Sequence, residues 1–249
     1  MSSSRRSLAR LAPLALLALL AFGPGARAAS YQPLSSDAGP VSYHPLTVPA
    51  SGYLEVASTR VRSQPSRSAR IVATVKQFEA DYRLRVILAL DVEVGPKGKP
   101  TWYKISLPGR PNGRTGWVPA SAVSLTPVYK EIVIHRGSRT LELYDHKRLV
   151  MRTKVAVGAP GMETPLGTYF VVWGFHPPDP FLGSWAFATS AYSRLSEWPG
   201  GGIVGIHGTS APQFLGQAVS HGCVRVSNSA VLVLKSNVRP GTPIRILRN

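Results

Sequence analysis

The chain has 249 residues, room for one or two domains, and 44% of them are hydrophobic, enough to bury a core. Its 23 glycines and 22 prolines favour turn-rich β structure over a helical bundle. The formal charge of +17 suits a polyanionic partner or a solvated basic surface. No zinc-finger, helix-turn-helix or RNA-recognition signature is present and the charges are scattered, so nucleic acid is not expected.

Residues 1–28 read as an export signal. Arg5, Arg6 and Arg10 make a basic start, and Leu11 to Phe22 is apolar but short for a membrane span. Ala26-Arg27-Ala28 fits a small-x-small cleavage site. A retained anchor is the alternative. Ser4-Arg5-Arg6-Ser7-Leu8 also faintly resembles a twin-arginine signal, which leaves the export route open. The segment carries four arginines and no acid, so +17 less four leaves +13 from Ala29 onward. With the signal removed, no stable membrane span is expected. Residues 29–50, rich in Ser, Pro and Gly, read as a linker.

Residues 51–125 show short strands at Thr59–Arg62, Ile71–Val75, Leu84–Leu90, Trp102–Ile105 and Gly116–Val118. Ser63–Ser66 and Gly109–Gly113 are turns, and Asp91–Pro100 reads as a polar insertion between strands. Val61-Arg62-Ser63-Gln64-Pro65, Trp102-Tyr103-Lys104-Ile105 and Gly116-Trp117-Val118 together resemble the bacterial Src-homology-3-like barrel. The resemblance implies binding of peptide or glycan in the cell wall. Trp102 and Trp117 then either stack on a ligand or pack in the barrel core.

A second domain is expected over 127–249. Ile132–His135 and Thr140–Tyr144 flank Arg136–Arg139 as a hairpin. Leu149, Met151, Val155 and Val157 alternate with Arg152 and Lys154, the period of a half-buried strand. Thr168–Trp173 is another strand. A long region with Pro177, Pro178, Pro180 and Gly200–Gly202 then reads as a binding loop or lid before a strand at Ile203–Ile206. Ser229–Asn237 is the helix candidate, capped by Ser227 or Asn228, and Ile244–Leu247 is the last strand.

The stretch Ile203–Asn228 concentrates the chemistry. It holds the one cysteine, Cys223, and two of the six histidines, His207 and His221. An exported chain with a single thiol has no internal disulfide. The thiol needs a base or a positive neighbour to become nucleophilic, and His207, His221 and Arg225 are at hand. Gly222 allows close backbone approach, and N–H groups near Gly222 and Cys223 can meet a developing oxyanion. Ser220 and Thr209 are candidate hydrogen-bond donors to the site and also ordinary turn residues. His44, His135 and His146 read as structural or exposed, and His176 as structural, exposed or lining the substrate loop. His221, two before Cys223, would project to the same side in an extended segment. His207 closes an apolar strand, and the Gly208 carbonyl can fix its tautomer where no acid follows Glu197.

Ile206-His207-Gly208-Thr209 and Ser220-His221-Gly222-Cys223-Val224-Arg225-Val226 resemble the catalytic motif of the L,D-transpeptidases that cross-link bacterial peptidoglycan. Thr164-Pro165-Leu166-Gly167-Thr168-Tyr169 and Phe187-Ala188-Thr189-Ser190-Ala191-Tyr192-Ser193 extend the likeness in order. The resemblance implies a mainly β protein: the small Src-homology-3-like barrel, then a β-sandwich-like catalytic domain with one or two short helices. It implies Cys223 as nucleophile and His207 as base. Around them the residues themselves read as support in His221, Gly222, Ser220 and Gly208, with Arg225 expected to favour the thiolate or bind a substrate carboxylate and Thr209 expected at the substrate. The resemblance implies peptidoglycan stem peptides as partners, no cofactor or metal, and a place in the periplasm or cell wall. Two readings from other classes stand beside it. One is a zinc hydrolase using His207, His221 and Cys223; the other is a non-catalytic wall-binding protein in which Cys223 is unreactive.

Overall fold

The structure, a computed structural model, describes residues 47–197 and 200–249. The expected signal and all of the linker before Thr47 lie outside the described residues.

Seven strands form the first sheet: β1 (Ala50–Leu54), β2 (Ser58–Arg62), β3 (Ile71–Lys76), β4 (Ile87–Val94), β5 (Pro100–Ser106), β6 (Thr115–Pro119) and β7 (Val123–Pro127). The order is β3-β2-β6-β5-β4-β1-β7, antiparallel throughout. Leu54, Val61, Val75, Ile87, Tyr103, Ile105, Val118 and Val123 meet in one core, so the sheet curls over its own inner face. Pairing of Ala50 with Pro127 brings the two ends of this segment together. Ala50, read as linker, is therefore the first residue of a strand.

Two further expectations change here. Asp91–Pro100 is not an insertion, because β4 runs on to Val94, β5 starts at Pro100 and only a short turn joins them. Trp102 and Trp117 are not core residues. Along β5 and β6, Tyr103, Ile105 and Val118 take the inner positions, so strict alternation turns both tryptophans to the outer face, half-buried.

The second sheet is built from β8 (Lys130–His135), β9 (Thr140–Asp145), β10 (Arg148–Lys154), β12 (Gly167–Phe175), β13 (Ala186–Tyr192), β14 (Ile203–His207), β16 (Val224–Arg225) and β17 (Pro243–Leu247). A short parallel pair, β11 (Val157–Gly158) with β15 (Ala218–Ser220), lies beside it. The order is β10-β9-β8-β17-β12-β13-β14-β16. The expected hairpin β8–β9 is present, and β17 closes against β8 in parallel. Val155 and Val157 are buried as the alternation predicts, but Leu149 is 47% exposed. A bulge between Leu149 and Met151 on the edge strand β10 slips the phase there. The long region before Ile203 is not one loop: Ala186–Tyr192 pairs inside the sheet between β12 and β14.

The only α-helix among the described residues, α1 (Asn228–Asn237), starts where the Ser227 hydroxyl accepts from the Ala230 N–H at 3.1 Å. It buries Ala230, Val231 and Leu234 against the core of the second sheet. Val86 and Leu88 pack with Phe170 of β12 in a small apolar cluster that joins the two sheets. The Arg83 guanidinium lies 4.2 Å from the ring centroid of Trp173 on the same strand.

Candidate active site

Strand alternation assembles the site. In β14, Val204 and Ile206 are buried in the core, so Ile203, Gly205 and His207 face the other way. In β16, Val224 faces the core, which turns Cys223 and Arg225 outward beside them. The two strands run parallel, with Ile206 against Val224 and His207 against Arg225. One step back in that register sets Cys223 beside Gly205. The Gly205 N–H donates to the Cys223 Sγ at 3.3 Å. A Cβ on Gly205 would lie 3.7 Å from His207 Cδ2 and 3.8 Å from Cys223 Sγ. The thiol and the imidazole therefore flank one bare backbone position. They open into a cavity of about 480 Å³ that Trp173, Phe187, Phe181 and Arg225 also line.

His207 is 3% exposed, and its Nδ1 donates to the Gly208 carbonyl at 2.6 Å. That bond leaves Nε2 as the acceptor nitrogen. Burial, aided by the Arg225 charge, lowers its pKa to about 4, against the pull of the Gly208 and Leu182 carbonyls. Burial likewise raises the Cys223 pKa, while the Gly205 N–H and Arg225 act the other way. At neutral pH the pair is a thiol and a neutral imidazole. Such a pair suits proton transfer from sulfur to nitrogen at the moment of attack better than a standing ion pair.

The turn that presents Cys223 is tied from within. Ser220 Oγ donates to the Cys223 carbonyl at 2.6 Å and accepts from the Gly222 N–H at 3.2 Å. Gly222 has φ +116, and a Cβ there would meet the Cβ of Ser193 at 2.9 Å, so glycine is required on both counts. The Gly222 N–H, expected at the oxyanion, is thus already committed to Ser220. The Cys223 N–H has no acceptor among the described residues. His221 is exposed and lines the cavity rim. The positive φ of Gly222 interrupts the extended run that would have placed His221 and Cys223 on one side.

Arg225 is 9% exposed, with its guanidinium 4.7 Å from the Phe181 ring centroid. Its Nε has no partner among the described residues, leaving a buried cationic donor on the cavity wall. Thr209, expected at the substrate, sits elsewhere. Its hydroxyl accepts from the Ala211 N–H at 3.0 Å, so it closes a turn and does not line the cavity. Among the described residues, no group of three or more His, Cys, Asp or Glu side chains is placed to hold a metal ion.

Three residues were not singled out from sequence. Gly205 is one; its signal is a glycine in an apolar strand two before His207. Thr164, fully buried, accepts from the Gly158 N–H and donates to the Gly222 carbonyl, both at 2.9 Å. Its only signal is its place in the Thr164–Tyr169 motif. Asn228, read only as a helix cap, accepts from the Ser184 N–H and donates to the Thr209 carbonyl. Its amide leaves no room for a Cβ on Gly208.

The model of the family described as YkuD, L,D-transpeptidase catalytic domain, matches residues 129–246. The YkuD protein of Bacillus licheniformis, provisionally named an L,D-transpeptidase, is 36% identical over 116 residues, covering 46% of this chain and 64% of that protein's length. The Bacillus subtilis protein of the same name is 28% identical over 177 residues, 70% of this chain and 94% of that one. A solved structure, L,D-transpeptidase 3 from Mycobacterium tuberculosis, is 16% identical with a TM-score of 0.45, over 66% of this chain and 92% of that one. The matched residues 129–246 carry His207 and Cys223 side by side on their sheet, and over that span the chain is similar to L,D-transpeptidase catalytic domains.

Proposed function

We propose that this chain is an exported L,D-transpeptidase acting on the tetrapeptide stems of peptidoglycan. The observation that carries the reading is the pairing of buried His207 and Cys223 across Gly205 on the floor of a cavity. Cys223 Sγ attacks the carbonyl of the third stem residue while His207 Nε2 takes the thiol proton. The oxyanion meets the free Cys223 N–H. The intermediate collapses, His207 returns the proton to the departing amine, and D-alanine leaves behind a thioester. The side-chain amine of a diamino acid on a second stem then attacks the thioester. Its proton passes through His207, the thiol is restored and a new amide joins the stems. Ser220 and Gly222 hold the nucleophile turn, Gly208 fixes the base, and His221 shapes the rim on the oxyanion side. Arg225 receives a substrate carboxylate.

Residues 1–28 serve as the export signal, which places the enzyme in the periplasm or cell wall. The first sheet is proposed as a Src-homology-3-like module that contacts wall glycan or peptide through the outward Trp102 and Trp117. Mass spectrometry of products from purified tetrapeptide stems, with chelator present, tests the reading. Loss of D-alanine with a new interpeptide amide, abolished in Cys223→Ala, is the expected result. Hydrolysis alone would make the chain an L,D-carboxypeptidase, and transfer to a protein amine would make it an anchoring enzyme. Equal activity in wild type and Cys223→Ala overturns the cysteine mechanism.

A further inference from the structure

The first sheet reaches the second at a point where a tether has no need to. The turn joining β5 and β6 carries Arg110 and Asn112, and both side chains bond to backbone some eighty residues away. Arg110 Nη2 donates to the carbonyls of Ser193 at 3.0 Å and Gly201 at 2.9 Å, with a longer contact to Leu195 at 3.3 Å. Its guanidinium carbon lies 4.9 Å from the Tyr192 ring centroid. Asn112 pairs with Tyr192 as a strand would: Nδ2 donates to the Tyr192 carbonyl at 2.7 Å, and Oδ1 accepts from the Tyr192 N–H at 3.0 Å. Together they hold the last residues of β13 to the chain that enters β14.

Those strand ends border the reacting atoms. The Ser193 N–H donates to the Gly202 carbonyl at 2.8 Å, which closes the join from inside. Ser193 is buried against Gly222, one residue before the nucleophile. Gly200 lines the cavity, and Gly205 lies five residues further along the same chain. Gly202 has φ +76, and a Cβ there would come within 2.6 Å of Arg110 Nη2. The glycine is thus shaped to the guanidinium as well as to its own turn. A carbonyl cluster gains most from a fixed cationic fork, because each charge-assisted bond is stronger than a neutral one and the guanidinium cannot lose its proton.

We propose that Arg110 and Asn112 are positioning residues for acyl transfer at Cys223. The first sheet is then part of the catalytic unit, clamping the β13 and β14 ends so that Ser193 holds the Gly222–Cys223 turn in line with His207. The proposal rests on the transpeptidase reading for its substrate and on the clamp geometry alone for its mechanics. Misplacing a nucleophile by about 1 Å costs up to ~10²-fold in rate, and a partly exposed clamp should cost about tenfold.

The test compares the full chain with Arg110→Met, Asn112→Ala and Arg110→Lys, by amide hydrogen exchange at Tyr192 and Ser193 and by kcat and KM on soluble tetrapeptide stems. Arg110→Met and Asn112→Ala should speed exchange at these amides about tenfold, leave the unfolding midpoint within a few degrees and lower kcat about tenfold with KM nearly unchanged. Arg110→Lys, which keeps a cation with three donors, should recover part of both. Faster exchange with unchanged kcat overturns the proposal, as does unchanged exchange. A rise in KM alone would make the pair a substrate-binding element and overturn it too. If wild type itself does not turn over stems, the functional reading fails separately. The rate of Cys223 alkylation by iodoacetamide then decides the clamp: a severalfold change in Arg110→Met supports it, and no change overturns it.

Discussion

Two histidines reach this cavity from two kinds of backbone. His207 ends β14, locked by ladder bonds to β13 and β16, buried, and fixed in tautomer by the Gly208 carbonyl. His221 sits on the Ser220–Cys223 turn, exposed, one residue before a glycine at φ +116. Nearness in sequence favours His221, and rigidity favours His207. A general base must keep its lone pair aimed at one proton, and a strand end in a packed sheet does this better than a turn.

The largest effect that can break this comparison is a histidine replacement. His207→Ala should slow Cys223 acylation by ~10²–10⁴, whereas His221→Ala should stay within about tenfold of wild type. The time course of acyl-enzyme in the mass spectrum reads both, and the opposite ranking would make the turn histidine the base. Gly205→Ala comes next. It inserts a methyl between His207 Cδ2 and Cys223 Sγ at van der Waals distance from each, and should cost about 10–10² in kcat/KM with the fold intact by circular dichroism.

The pH profile sharpens the same contrast. The folded-state pKa of His207 is lowered from 6.5 to about 4. Its neutral, proton-accepting form therefore persists as pH falls through 6.5 and is lost only near 4. The profile of kcat/KM should be flat from pH 7 to 5.5 and fall about tenfold per unit below 4. A midpoint near 6.5 would instead point to a solvated imidazole. Linkage gives a second sign. The unfolded chain takes up a proton near 6.5 that folded His207 refuses until about 4. This group's stability contribution is thus full above 6.5 and declines as pH falls between those values, a slope that His207→Gln should flatten.

The smallest effect concerns the turn. Thr164→Val removes the bond to the Gly222 carbonyl and strands the buried Gly158 N–H, at a cost of ~1–3 kcal/mol in stability. Chemical denaturation measures it. If the turn owes its shape to Thr164 as well as to Ser220, the variant should also slow acylation severalfold.

Much of this was readable in the residues. The β8–β9 hairpin, the strand ending at His207, the Ser227 cap and the final strand follow from periodicities of two and 3.6 and from local capping chemistry. The bond from His207 to the next carbonyl was legible for the same reason, since its partner is one residue away. Errors gathered where the signal was weak or non-local. Ala186–Tyr192 was hidden between proline-rich and glycine-rich stretches. Leu149 was misplaced by a bulge, which leaves no mark in the alternation. Trp102 and Trp117 were ambiguous because a tryptophan suits either face of a sheet until its neighbours in register are known.

By itself, then, the sequence indicated most of the strands, the helix at Asn228–Asn237, a candidate nucleophile in Cys223 and a candidate base in His207 whose orienting carbonyl is one residue away. Each depends on interactions within a few residues. Only the tertiary structure decided that Gly205 separates thiol from imidazole, that Thr164 holds Gly222 from 58 residues away and that Arg110 reaches Ser193 across 83. It also decided the protonation state of the pair. The pKa of His207 is governed first by burial, and burial is a property of everything packed around a side chain, which no stretch of sequence specifies alone.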